Sequence, residues 1–221
     1  MGHIGTPVTC RSLAVDFPGH GLSSHFPPGQ PYYQIDYMAF ARRIVKHYGW
    51  EDVCLMGHSL GCIVAFMYSC TYPNEVSSWI SVEALEPVVV SSEDISDAQK
   101  GSFCSVIKAS GAVLLERGMT KFEGDKYRFN RDICIKYSSI SSWPLNTILQ
   151  FAACIRCNLC YVRADAGLKY NSEENHLEIA DVLQKSAKYF EYHTVESTHH
   201  VHLNNPDRVA SLITNFLQKC V

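Results

Sequence analysis

The 221-residue sequence has no apolar run near the ~20 residues that a bilayer-spanning helix requires. Its longest stretches, such as Cys62 to Met67, have the length of a core strand or a piece of core helix. It has no basic excess either: 19 Lys and Arg stand against 22 Asp and Glu, a net charge of −3. Nothing is thus available to neutralise a phosphate backbone, and nucleic acid is not the expected partner. Charged residues make up only 19% and hydrophobic ones 47%, which excludes an extended disordered chain. There is no N-x-[ST] acceptor. No charged segment followed by an apolar one opens the chain, so a secretory leader is not expected and an intracellular, cytoplasmic setting is. Met1, Gly2 and Thr6 have the spacing of a myristoylation signal, which leaves membrane association open. The C-terminus, Gln218 to Val221, is neither a prenylation box nor a peroxisomal address, although peroxisomal residence by another route stays open.

Cysteine, by contrast, is plentiful: ten, scattered along the whole length. Secreted disulfide frameworks are short and loop-rich. Here Cys54, Cys62, Cys70 and Cys134 lie inside apolar segments and read as reduced core thiols. Cys154, Cys157 and Cys160 recur at C-x-x-C spacing, but three thiols without a fourth ligand make a poor zinc or iron–sulfur site. No metal and no cofactor is expected.

Periodicity gives the architecture. Ser12–Asp16 is a short apolar run read as a strand, followed by the Pro18-Gly19 and Gly21 turn. Apolar residues recur with helical spacing from Ile35 to Tyr48, and Gly49 stops that helix. Val53–Met56 is a continuous apolar run of the kind buried on both faces in a parallel sheet. Leu60–Tyr72 reads as a helix stopped by Pro73, and Trp79–Val82 as another strand. From residue 88 to 150 the alternation lapses into a segment read as a helical insert. It resumes with a strand over Asn158–Arg163, a helix over Ser172–Ala187, a strand over Tyr189–Thr194 and a last helix from Pro206 to Gln218. Alternating strands and helices predict an α/β fold with a mostly parallel sheet. The domains expected are a core formed by 1–87 and 151–221 and an insert formed by 88–150.

Chemistry concentrates in Gly57-His58-Ser59-Leu60-Gly61, a G-x-S-x-G that begins directly after a buried strand and opens directly into a helix. That is the setting of a nucleophile elbow: the glycines let strand and helix pass close to a sharply bent serine, pushing its Oγ to the top of the sheet. The Leu60 backbone N–H, at the helix start, then donates to a developing oxyanion. A serine hydroxyl needs a base, and the base needs an acid to orient it. Thr198-His199-His200-Val201-His202 offers the base between the last strand and the last helix; a metal site from His199 and His202 would need further ligands. Two carboxylates follow strands, where they face the same crevice as the elbow. Asp165 is preferred as the acid because it falls after the insert, in the chain order serine, acid, histidine; Glu83 is the alternative.

The segments Ala14–Ser24, Gly57–Gly61 and His199–Pro206 together resemble the α/β-hydrolase fold. Pro27-Pro28-Gly29, Tyr127–Asp132 and Arg163–Gly167 narrow the resemblance to the serine hydrolase-like protein family, over nearly the whole chain from residue 12. The resemblance implies that His199, seven residues before Pro206, is the base, and that 88–150 is a helical cap shaping the substrate pocket. It also implies three further strands before Asp16, the third ending in a His-Gly loop that supplies a second oxyanion donor. His3-Ile4-Gly5 is a faint echo of that loop, placed too close to Asp16. The chain therefore reads as a shortened member, its sheet lacking the first strands, with a gap beside the elbow strand. The function implied is a serine hydrolase cleaving a carboxylic ester or similar small-molecule acyl substrate through Ser59, His199 and Asp165. The alternative is an impaired or inactive relative that binds a ligand or partner.

Overall fold

The structure, a computed structural model, describes residues 11–89, 106–135 and 142–220. Its centre is a four-stranded, wholly parallel sheet in the order β1-β2-β5-β6. These strands are β1 (Val53–His58), β2 (Val76–Val82), β5 (Asn158–Ala166) and β6 (Tyr189–Thr198). Parallel neighbours need a crossover, and helices supply it: α1 (Gln34–His47) precedes β1, α2 (Leu60–Thr71) joins β1 to β2, and α5 (Glu173–Ser186) joins β5 to β6. The one-turn α6 (Val201–Asn204) and α7 (Pro206–Cys220) close the chain.

Strand alternation divides the core into two layers. Trp79, Leu159 and Tyr161 point to one face, where they meet Phe66 and Met67 of α2, Tyr37 of α1 and Leu183 of α5. Ile80, Val82, Cys160 and Val162 point to the other, against Val209 and Phe216 of α7 and Val201 of α6. Trp79, Phe66 and Phe216 are fully excluded from solvent, and side chains of this size stabilise by ~1.5–3 kcal/mol each when buried. The helix ends are where the turn chemistry puts them. Gly49 follows α1 at φ +64, and the Ser172 side chain caps α5 by accepting from the Asn175 N–H at 3.2 Å.

The structure departs from the sequence-based expectations in four places. Residues 11–16 form no strand among the described residues, and Leu13 and Val15 are exposed. Asp16 is instead held in a loop by Arg117 at 2.5 Å and by the Leu22 N–H at 3.0 Å. Second, β1 is not covered on both faces by the described residues. It lies at the sheet edge; α2 packs on one side, while Cys54 is exposed on the other and Met56 is 61% exposed. Third, segment 88–150 is not helical throughout. Helix α3 (Lys108–Gly118) runs into an antiparallel hairpin, β3 (Met119–Phe122) and β4 (Lys126–Phe129), turned at Glu123 and Gly124, both with positive φ. Helix α4 (Leu145–Ala152) spans residue 150 and places Ile148 and Ala152 in the first core layer, so the core resumes before that boundary. Fourth, Cys54 and Cys134 are exposed, whereas Cys62, Cys157 and Cys160 are buried; none of the eight described cysteines is in a disulfide. The His3-Ile4-Gly5 echo and the myristoylation pattern lie outside the described residues. No helix among the described residues is long and apolar enough to cross a membrane.

Candidate active site

The elbow forms as its sequence dictates, but one glycine does the work expected of two. A Cβ on Gly57 would lie 2.5 Å from both the Gly61 oxygen and the Cys62 nitrogen, so only glycine lets β1 pass the start of α2. At Gly61 a Cβ would meet nothing within 4 Å. Between them Ser59 adopts φ 52, ψ −114, a strained conformation costing ~1–3 kcal/mol. The surroundings hold it there. Its N–H donates to the Val82 carbonyl at 3.2 Å, and its carbonyl accepts from Cys62 N at 2.9 Å. The buried Cys62 thiol bridges the Gly57 and Val82 carbonyls at 3.0 and 3.1 Å, and burial pushes that thiol up to about 11. Leu60 is the first residue of α2, so the helix offers no carbonyl for its N–H.

His199 follows β6 directly, because that strand runs to Thr198, four residues beyond the expected end. Its ring is buried, with 4% of the side chain exposed. It is anchored by His58, the second residue of the motif, whose Nε2 lies 2.7 Å from the His199 carbonyl. A carbonyl only accepts, so that nitrogen carries the hydrogen. The His58 ring packs 4.1 Å from His202 and 4.6 Å from His199, centroid to centroid. Burial, with those neighbouring imidazoles, drives His58 down to about 2; burial likewise takes His202 down to about 4.

The acid beside His199 is Glu83, not Asp165. Glu83 follows β2, its side chain is fully buried, and Oε2 lies 3.2 Å from His199 Nδ1. Its other oxygen accepts from the Ala164 N–H. Its backbone is also strained, at φ 77, and its own N–H donates to the Val162 carbonyl at 2.9 Å. Asp165 is exposed and spends its carboxylate on the N–H groups of Ala166 and Ser197, at 2.8 and 3.0 Å. It thereby ties the end of β5 to that of β6. Because β2 lies between β1 and β5, its end faces the crevice beside the elbow, which chain order alone does not reveal.

Sequence reasoning missed Tyr170. Its hydroxyl lies 2.9 Å from Ser59 Oγ and 3.2 Å from His199 Nε2, standing between the serine and the imidazole. Burial pushes the phenol up to about 12, so it is a neutral hydroxyl at ordinary pH. It belongs to the loop after β5, which passes over Glu83 at Gly167; a Cβ there would collide with Glu83 Oε2 and lie 3.0 Å from the Ala164 oxygen. Asn171 fastens the same loop, donating to Glu86 at 3.0 Å and to the Pro87 carbonyl at 3.1 Å and accepting from Val89 N at 2.8 Å. The G-x-S-x-G motif marked Ser59; no spacing pattern marked a loop tyrosine.

Two other features lie apart from this constellation. A hollow of about 810 Å³ over α1 is lined by residues such as Phe40, Arg43 and Tyr48 and includes none of Ser59, Glu83, Tyr170 or His199. Cys160, Glu191 and His193 bring ligand-type atoms within 4.8 Å of one another. There the Glu191 carboxylate already accepts from Lys219 at 2.5 Å, Tyr189 at 2.6 Å and His193 at 2.9 Å, and burial pushes Cys160 up to about 12.

The fold and this constellation define the class: the chain is a member of the α/β-hydrolase superfamily. The model of the alpha/beta hydrolase fold matches residues 7–102. A hypothetical protein from Pseudomonas aeruginosa superposes with a TM-score of 0.76 at 21% identity, covering 92% of this chain and 80% of that one. A thioesterase domain from the curacin biosynthetic pathway does so at 0.68 and 20%, covering 90% and 79%. Within the superfamily, the chain belongs to the serine hydrolase-like family. It is 32% identical to a probable serine hydrolase of Drosophila melanogaster, over 96% of this chain and 74% of that protein. It is 31% identical to a serine hydrolase-like protein of Danio rerio, over the same shares.

Proposed function

We propose that this chain is a serine hydrolase that cleaves a carboxylic ester or similar acyl substrate, with Ser59 as nucleophile, His199 as base and Glu83 as the acid. The observation that carries this reading is the chain of contacts from Ser59 through Tyr170 to His199 and Glu83, a triad with one phenol hydroxyl interposed between serine and histidine. The Glu83 carboxylate accepts from His199 Nδ1–H, which leaves Nε2 bare and basic. With the Tyr170 hydroxyl displaced, Nε2 takes the Ser59 proton as Oγ attacks the acyl carbon. The buried carboxylate stabilises the imidazolium that forms. The Leu60 N–H binds the oxyanion, and His199 returns the proton to the leaving group. The part of the insert that precedes α4 would cap this site. A serine at the elbow, where dehalogenase relatives use aspartate, favours acyl transfer.

A fluorophosphonate probe tests the reading, since it reacts only with an activated serine. Labelling of the wild type, absent in Ser59→Ala, is the expected result. If neither the wild type nor a variant lacking the Tyr170 side chain labels better than Ser59→Ala, the hydrolase reading falls. The second reading, a binding protein without catalysis, is favoured by one observation: Tyr170 fills the gap between nucleophile and base.

A further inference from the structure

The position of the Tyr170 hydroxyl has chemical meaning. In acyl transfer the oxygen that must approach both Ser59 Oγ and His199 Nε2 is that of the leaving group, or of the water that later replaces it. A phenol oxygen at 2.9 and 3.2 Å from those two atoms stands in that place. The hydrogen-bond directions are consistent. Glu83 accepts from His199 Nδ1, so Nε2 accepts from the Tyr170 hydroxyl, whose oxygen accepts in turn from Ser59. All three groups are thus satisfied with no substrate present. The loop that carries the tyrosine is positioned from both sides: Gly167 allows it to lie against Glu83, and Asn171 pins it to Glu86, Pro87 and Val89. Release therefore requires the side chain to rotate rather than the whole loop to lift.

We propose that Tyr170 is a built-in plug whose phenol occupies the leaving-group subsite between Ser59 and His199, so that a substrate binds by displacing it. The proposal rests on the hydrolase reading above and adds a consequence for substrate class: the subsite holds a phenol-sized alcohol portion, which favours aryl esters over esters of bulky branched alcohols.

The test compares fluorophosphonate labelling rates of wild type, Tyr170→Phe, Tyr170→Ala and Ser59→Ala, with melting curves to show that each is folded. Tyr170→Phe removes the two hydrogen bonds but keeps the ring; Tyr170→Ala empties the subsite. The plug predicts labelling in the order Ala, Phe, wild type, with Tyr170→Ala at least about tenfold faster than wild type. It also predicts that p-cresol, the tyrosine side chain as a free molecule, slows Tyr170→Ala back toward the wild-type rate. A Tyr170→Phe variant slower than wild type overturns the plug and makes the hydroxyl a proton relay. Equal, Ser59-dependent rates in all three overturn the plug and leave the hydrolase reading standing. If neither wild type nor Tyr170→Ala labels above Ser59→Ala, the hydrolase reading falls and takes the plug with it.

Discussion

The two carboxylates near the crevice make opposite predictions, and Glu83→Gln against Asp165→Asn separates them. Glu83 is fully buried, and both its oxygens are used, one by Ala164 N and one by His199 Nδ1. Glutamine keeps the volume and can still accept from Ala164, but it removes the charge that faces the imidazolium of the proposed mechanism. Its amide group also favours the tautomer in which Nε2 carries the hydrogen and cannot act as base. In a Ser-His-Asp triad the equivalent change lowers kcat by about 10⁴-fold. A loss of that order is expected here, near ~5.5 kcal/mol of transition-state stabilisation. Asp165→Asn should behave differently. Its contacts are two backbone N–H groups at an exposed site, and losing their charge-assisted character costs of order 1 kcal/mol of stability, with activity kept within about tenfold. The assay is hydrolysis of a 4-nitrophenyl ester, with a denaturation curve for each variant so that misfolding is not mistaken for lost chemistry. Glu83→Gln retaining activity within about tenfold, while folded Asp165→Asn loses ~10³-fold or more, would refute the assignment and return the acid to the end of β5.

The elbow glycines should differ in sign. Gly57→Ala forces a methyl against the Gly61 carbonyl and the Cys62 nitrogen, an overpacking cost of ~1–3 kcal/mol or more, read as a fall in Tm of ~2–4 °C per kcal/mol. Gly61→Ala, open within 4 Å, should be neutral or stabilising by up to ~1 kcal/mol; equal Tm values for the two variants would contradict the close approach. Stability should also fall as pH drops below ~6.5. The unfolded chain protonates His58 and His202 there, while the fold keeps them neutral until about 2 and about 4, respectively. Each group then costs about 1.4 kcal/mol per pH unit below 6.5. Urea denaturation at pH 7.5 and 5.5 reads the difference, and His202→Gln should shrink it; a variant that keeps the full wild-type difference would show that His202 is not held neutral by the fold.

The sequence carried whatever depends on neighbouring residues. The elbow was legible because strand, motif and helix are contiguous from Val53 to Thr71. His199 was legible from its distance to Pro206. Its carboxylate neighbour was not, because Glu83 and Asp165 both follow strands, and only the spatial order β1-β2-β5-β6 shows which end faces the histidine. Tyr170 was illegible for a related reason: its role arises from where a loop is pinned, through Gly167 and Asn171, and neither contact partner is near in sequence. The exposure of Cys54 and Met56 reflects missing coverage of one face, a tertiary fact that an apolar run cannot report. The β3–β4 hairpin escaped notice because its strands are only four residues long, and Met-Thr-Lys-Phe breaks the alternation that Lys-Tyr-Arg-Phe keeps.

Ser59 and Glu83 share a property that packing alone does not call for. Of the three non-glycine residues with positive φ among those described, these two are the nucleophile and the acid of the proposed triad; the third, Glu123, sits in a hairpin turn. Glycine would relieve both at once. Each of these conformations costs ~1–3 kcal/mol, so the fold gives up part of its stability in presenting a hydroxyl and a carboxylate to one crevice.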